Sequence, residues 1–326
     1  MKKRLFVSVI PAVACLALAA PALAATQVGA SENWAGYVVT SNDDSGFSAV
    51  SGQWTEPKVA CTANAQPTYS AYWVGLGGGG QQSSALEQIG TQADCSAAGT
   101  ARHYAWYELV PSAPVKLSLK IDPGDRIWAR TAVNGAQVTL LITDQTSHQT
   151  WSKTLTMAST TPDTSTAEWV AEAPSECAGA TVSNCTPLPL ADFGTTTFTD
   201  AHATSAGGHT GSIDDSQWTA EAVELEPSSS SLFGGGPGGL PGGYGSYSQF
   251  SGYTSRASGA APTSLRKQGT SFSVKYGASL ETQSGAPGGS QAPYGYGYYG
   301  GYGYGDYGYG SYGDGGVYGS YGGWGY

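Results

Sequence analysis

Between residues 115 and 145 the chain alternates in a way that few folds accept. "VKLSLKI" (115–121) separates Val115, Leu117, Leu119 and Ile121 by single polar or basic residues, the period of a strand with one buried face. "DPGD" (122–125) then turns the chain. In "RIWARTAVNGAQVTLLITDQ", Asn134-Gly135 stands between two strand-like runs and predicts a hairpin. "ADFGTTTFTDAHA" and "WTAEAVELE" read as further strands, and no window sustains an amphipathic helix. The expectation is an all-β domain over residues 25–227, an antiparallel β-sandwich of two sheets.

The flanks are of other kinds. Residues 1–24 begin with Lys2, Lys3 and Arg4, continue through an apolar run and end in an A-x-A pattern at Ala22 and Ala24, which reads as a secretory signal peptide. Pro11 and Pro21 interrupt that run, and no other segment approaches the roughly 18 to 20 apolar residues of a membrane span. A secreted protein without a membrane span is expected. Residues 228–263 are rich in Gly, Ser and Pro and read as a disordered insert. "TSFSVKY" (270–276), within 264–279, alternates again and reads as a last strand of the sandwich. From 280 to 326 a Gly/Tyr-rich low-complexity tail has too much glycine to form a packed core.

Without residues 1–24, 11 of the 14 basic residues remain against 24 acidic ones, a balance of −13. Phosphate binding needs clustered Lys and Arg, so nucleic acid is excluded as a partner. In acid the carboxylates neutralise and so few fixed cations repel one another little, which suits an acidic habitat. Cys15 falls in the signal peptide, leaving Cys61, Cys95, Cys177 and Cys185. An even count in an exported chain predicts two disulfides. Three pairings are open, of which Cys61 with Cys95 and Cys177 with Cys185 close the shortest loops. No C-x-x-C or H-E-x-x-H is present and the four histidines show no ligand spacing, so neither metal nor cofactor is expected.

A G-x-S-x-G elbow and a phosphate loop are also missing, and "GLGGGG" (75–80) reads as a flexible turn. Carboxylates and amides are left to carry any chemistry. Seven segments then occur in order: "NWAGYV" (33–38), "VSGQWTEP" (50–57), "YWVGLGG" (72–78), "ALEQIGT" (85–91), "YAWYELVP" (104–111), "TAEWVAE" (166–172) and "ADFGTTTFTDAHAT" (191–204). Together they resemble the glutamic peptidases, the eqolisin family of secreted, acid-acting endopeptidases, over residues 31–227.

The resemblance implies a β-sandwich of lectin-like, jelly-roll type whose concave sheet forms a cleft, with peptide or protein as substrate and the chain acting as a monomer. It places the catalytic pair on Gln88 and Glu168, and Trp34, Trp73, Trp106 and Glu108 in or near the cleft. Trp54 falls at a position that reads as structural packing. Two departures stand out: Gly77 and Tyr104 occupy positions where the family carries aspartates. The chemistry needs a group that takes a proton from water and returns it to the leaving nitrogen, and a donor to the oxyanion. Glu168 suits the first role and the Gln88 amide the second, with both side chains expected to face a solvated cleft. Two other functions compete. One is a carbohydrate-binding sandwich or glycoside hydrolase using Glu168 with Glu108; the other is a surface protein acting through its tail.

Overall fold

The computed structural model describes residues 27–79, 83, 85–158, 160–177, 185–226 and 258–280. The expected signal peptide, residues 228–257 of the insert and residues 281–326 of the tail lie outside the described residues. Every named element is a strand. In chain order the first nine are β1 (Gln27–Ser31), β2 (Trp34–Ser41), β3 (Phe47–Thr55), β4 (Thr68–Gly77), β5 (Leu86–Cys95), β6 (Ala101–Val110), β7 (Val115–Lys116), β8 (Arg126–Asn134) and β9 (Gln137–Asp144). The rest are β10 (Gln149–Thr156), β11 (Thr166–Glu172), β12 (Ser175–Cys177), β13 (Cys185–Pro187), β14 (Thr195–Ser205), β15 (Thr210–Gly211), β16 (Trp218–Leu225), β17 (Ala260–Pro262) and β18 (Phe272–Tyr276).

Sixteen of these strands build one mainly antiparallel sheet that curls back on itself into two layers, and β12 and β13 pair apart from it as a two-stranded sheet. One layer runs β10-β9-β8-β3-β14-β18, the other β16-β2-β11-β4-β5-β6-β7, and short β17 pairs with both β16 and β18. Strand β1 adds to β16 in parallel. The expected all-β sandwich is therefore what forms. "TSFSVKY" contributes β18, and β17 lies inside the stretch expected to be low-complexity.

Alternation explains the layering. Strand β9 reads exposed, buried, half-buried, buried along its length, with Val138, Leu140 and Ile142 turned into the space between the layers. On the opposite layer Tyr72, Val74 and Leu76 of β4 and Trp169 of β11 point to the same core. Trp169 Nε1 donates across the layers to the Ser51 carbonyl at 2.7 Å. Trp54 belongs to this core, fully buried, its Nε1 donating to Thr91 Oγ1 at 2.9 Å. The disulfides are Cys61–Cys95 and Cys177–Cys185.

Three local expectations change. In "VKLSLKI" only Val115 and Lys116 form a strand, although Leu117, Leu119 and Ile121 are buried as the alternation requires. Burial needed the period but not the ladder. The hairpin turn is Gly135-Ala136, because Asn134 already pairs with Gln137. Gly135 takes φ = 58° and Ala136 stays negative, which suits a II′ turn with glycine first. Finally, Gly75, Leu76 and Gly77 of "GLGGGG" are the end of β4 and not a turn.

Candidate active site

The second layer has two buried faces. One meets the core; the other, concave, carries Trp34 and Val38 of β2, Trp73 of β4, Leu86 of β5, Tyr104 and Trp106 of β6 and Val170 of β11, packed as a second apolar cluster. Strand order fixes what lies between these aromatics. Glu108 pairs with Gln88, Gln88 with Gly75, and Gly75 with Glu168, one residue from each of β6, β5, β4 and β11. Cross-strand partners share a face, so Glu108, Gln88 and Glu168 stand in one row with the bare Gly75 between the last two. The gap is required: a Cβ at position 75 would lie 2.9 Å from Trp73 Cζ3 and 3.2 Å from Gln88 Cβ. Gln88 and Glu168 are thus two strand spacings apart, about 10 Å between backbones, and face each other over glycine.

The structure brings all six expected site residues to this face. It corrects one expectation about them: neither Gln88 (3% exposed) nor Glu168 (0%) is solvated. Trp34, Trp73, Tyr104 and Trp106 share that face, and just past β4 Gly78 comes up against Trp34 and Leu86 and Gly79 against Val38 and Thr166. Trp34 packs edge-on against Trp73, ring centres 5.0 Å apart.

Hydrogen bonding within the row is uneven. Gln88 Nε2 donates to Glu108 Oε2 at 2.7 Å. Among the described residues, Gln88 Oε1, both Glu168 oxygens and Trp106 Nε1 are buried without a hydrogen-bond partner. Unpaired buried polar atoms each cost about 1 to 3 kcal/mol, so four on one face mark a place completed by something else. Burial pushes the Glu168 carboxyl well above the ordinary 4.5. The Thr166 hydroxyl stands near and opposes this without completing a hydrogen bond, while the Asp163 and Glu87 charges add to it. Burial likewise raises Glu108 to about 7, against the lowering effect of the Gln88 hydrogen bond.

Sequence reasoning did not single out three neighbours. Glu172, on the same face of β11, accepts from Trp73 Nε1 at 2.7 Å and from Asn33 Nδ2 at 2.9 Å. Its place four residues after Glu168 on an alternating strand was the available signal. Glu87 lies on the core-facing side of β5, where burial pushes it to about 8. Asp163 stands against Gly77, and a Cβ there would fall 2.6 Å from the Asp163 Cβ. A carboxylate from the loop before β11 therefore fills space beside a position where the resembled family carries an aspartate. Tyr104, at the other departure, donates its hydroxyl to Asp94 Oδ2 at 2.9 Å. Among the described residues no group of His, Cys, Asp and Glu could hold a metal ion.

A family model, the Peptidase A4 family, matches residues 32–231. The chain belongs to that family and is a peptide hydrolase, with peptides as its substrates. It is 27% identical over 232 residues to aspergillopepsin-2 of Aspergillus niger, a match covering 62% of this chain and 73% of that protein. Among solved structures it is similar to scytalido-glutamic peptidase bound to a transition state analog inhibitor, with a TM-score of 0.53, 24% identity and coverage of 75% of this chain and 98% of that one. SCP-B, an eqolisin solved with the tripeptide Ala-Ile-His, gives a TM-score of 0.51 at 22% identity with the same coverage. These two likenesses are of fold.

Proposed function

We propose that the chain is a secreted acid endopeptidase that hydrolyses peptide bonds with Glu168 and Gln88. The observation carrying this reading is the row across Gly75, in which, among the described residues, the one side-chain hydrogen bond is spent between Gln88 and Glu108. The Gln88 carbonyl and both Glu168 oxygens are left for a water and a substrate. Glu168 takes a proton from the water as it attacks the peptide carbonyl, then returns it to the leaving nitrogen. The second Nε2 hydrogen of Gln88 supports the oxyanion, and its Oε1 orients the water. Trp34, Trp73 and Trp106 exclude bulk water, which strengthens each of these interactions. A leader of signal-peptide type and two disulfides support secretion.

The glycosidase alternative is weaker. Between Glu108 and Glu168 in the row stand Gln88 and the bare Gly75, and the Gln88 amide already engages Glu108.

Activity should rise as Glu168 ionises, above the ordinary carboxyl value of 4.5, and fall as Glu108 ionises near 7 and sets a negative charge beside the oxyanion. Digestion of denatured casein and of common polysaccharides from acid to alkaline pH tests the reading. It requires casein cleavage with a maximum below neutrality; a maximum on the alkaline side, or cleavage of polysaccharide alone, sinks it.

A further inference from the structure

We infer that Glu172 is a positioning residue of this peptidase site, holding the Trp73 ring in the one orientation that walls the space between Gln88 and Glu168. The inference rests on the Gln88/Glu168 reading and extends it to a carboxyl that the mechanism does not use.

The Trp73 indole spans the distance between two places. Its Nε1 end is pinned by Glu172 Oε2 at 2.7 Å. At the opposite edge of the ring, Cζ3 lies against the bare backbone of Gly75, where an added Cβ would come within 2.9 Å. Gly75 is the residue flanked in register by Gln88 and Glu168. The torsion that turns an indole about its bond to Cβ is soft and has two broad wells. Packing against Trp34 does not choose between them by polarity, but the N–H does: turned the other way, it would leave Glu172 and be buried without an acceptor.

Glu172 is itself fixed. Its second oxygen, Oε1, accepts from Asn33 Nδ2 at 2.9 Å, and the backbone amide of Asn33 is bonded to the Ser31 hydroxyl at 3.3 Å just ahead of β2. Asn33 thus ties the end of β11 to the start of β2, and the indole reads that position through one hydrogen bond. Burial pushes the Glu172 carboxyl up to about 8, the Trp73, Trp34 and Asn33 hydrogen bonds opposing this and the Glu108 charge adding to it, so the group is uncharged in acid. A neutral carboxyl keeps a carbonyl oxygen that accepts the indole N–H, and so does a glutamine. A reacting group displaced by about 1 Å can lose about 10²-fold in rate, which is how a side chain that never meets the substrate affects turnover.

The test compares purified Glu172→Leu, Glu172→Gln, Trp73→Phe and the Glu172→Leu/Trp73→Phe double variant with wild type, measuring kcat and KM for one peptide at acid pH. The expected result is a loss of about 10- to 100-fold in kcat for Glu172→Leu and for Trp73→Phe, with KM changed less than about threefold. Glu172→Gln should recover most of that loss, and the double variant should be no worse than the poorer single one, because both remove the same Trp73–Glu172 hydrogen bond. Full kcat in Glu172→Leu, a loss wholly in KM, or losses that multiply in the double variant overturn the inference. If Glu172→Leu does not fold, Trp73→Phe and Glu172→Gln still decide, since the first must lose kcat and the second must keep most of it. A wild-type protein that cuts no peptide refutes the Gln88/Glu168 reading; active wild type with an unimpaired Trp73→Phe refutes only the role of Glu172.

Discussion

The two faces of the layer formed by β4, β5, β6 and β11 each meet a buried glutamate, Glu56 reaching the core-facing side from just past β3 and Glu168 standing on the other, and the two are treated in opposite ways. Toward the core, Glu56 is fully enclosed and both its oxygens are bonded, Oε1 to His103 Nδ1 at 2.7 Å and Oε2 to the Thr91 hydroxyl at 2.5 Å. Thr91 in turn accepts from Trp54, so the residue that reads as structural packing in the sequence anchors a polar chain. Toward the concave side, Glu168 is as deeply enclosed and neither oxygen is bonded. Burial raises both carboxyls, but around Glu56 every further influence lowers it again, whereas Asp163 and Glu87 raise Glu168 still more. The core is not perfectly satisfied, since His103 Nε2 has no partner among the described residues. The contrast still separates a carboxyl that the fold uses from one that the fold endures. An unpaired buried carboxyl is costly, and here it stands on a face lined with indoles that carries two other unpaired atoms, Gln88 Oε1 and Trp106 Nε1.

The largest expected effect breaks the comparison on the concave side. Glu168→Gln keeps the reach of the side chain and removes its ability to take a proton, so peptide cleavage should fall about 10²- to 10⁴-fold. Gln88→Ala removes the oxyanion donor and should cost about 10²- to 10³-fold, and the double variant should be little worse than the poorer single one because both act on one transition state. Steady-state rates on one peptide check all three. More than about a tenth of wild-type activity in Glu168→Gln would remove Glu168 from the mechanism.

On the core side the effect should appear in stability. Glu56→Ala breaks a buried pair, leaves His103 and Thr91 without their acceptor, and should cost about 3 to 5 kcal/mol, or roughly 10 °C in Tm. Thermal unfolding measures this, and activity below the transition should be retained. Any variant that loses catalysis without losing stability belongs with Glu168, not with Glu56.

The smallest effect is one of pH. Glu87, Glu108 and Glu172 all have folded values raised by burial, to about 8, 7 and 8. A raised carboxyl holds its proton more tightly in the folded state than in the unfolded chain. Its contribution to stability is therefore complete below the ordinary 4.5 and is lost as pH rises through the folded values. Tm should be highest in acid and decline toward pH 8, by a few degrees once partial exposure is allowed for. A Tm that climbs steadily over that range would contradict the burial of these groups.

The two layers also differ in how much of them the sequence reveals. Strands β8 and β9 have one buried face, so period two is visible in "RIWARTAVN" and "QVTLLITD", and the hairpin follows to within one residue. The one-residue error at Asn134-Gly135 arises because a single glycine can open a turn as well as close one. Strands β4 and β5 are buried on both faces, and the alternation disappears from "YWVGLG" and "EQIGT". There the site was legible only through its resemblance to the glutamic peptidases. The solvated cleft was the wrong expectation for the same reason: residue identity does not tell how deeply a strand face is buried once the fold closes. The spacing of four put Glu172 on the face of Glu168, but its partner Trp73 is set by strand register, and the approach of Asp163 to Gly77 is made by a loop that no local pattern encodes.

The measurement that tests the account most directly replaces each glutamate with leucine and follows urea unfolding in acid. Glu56→Leu strands Thr91 and His103 and should lower the midpoint sharply. Glu168→Leu removes only an unpaired buried carboxyl, so its midpoint should equal or exceed that of wild type by up to about 3 kcal/mol in stability, while peptide cleavage is abolished. A Glu168→Leu protein that is as destabilised as Glu56→Leu, or that still cuts peptide, would show that Glu168 belongs to the packing of the sheet and not to catalysis.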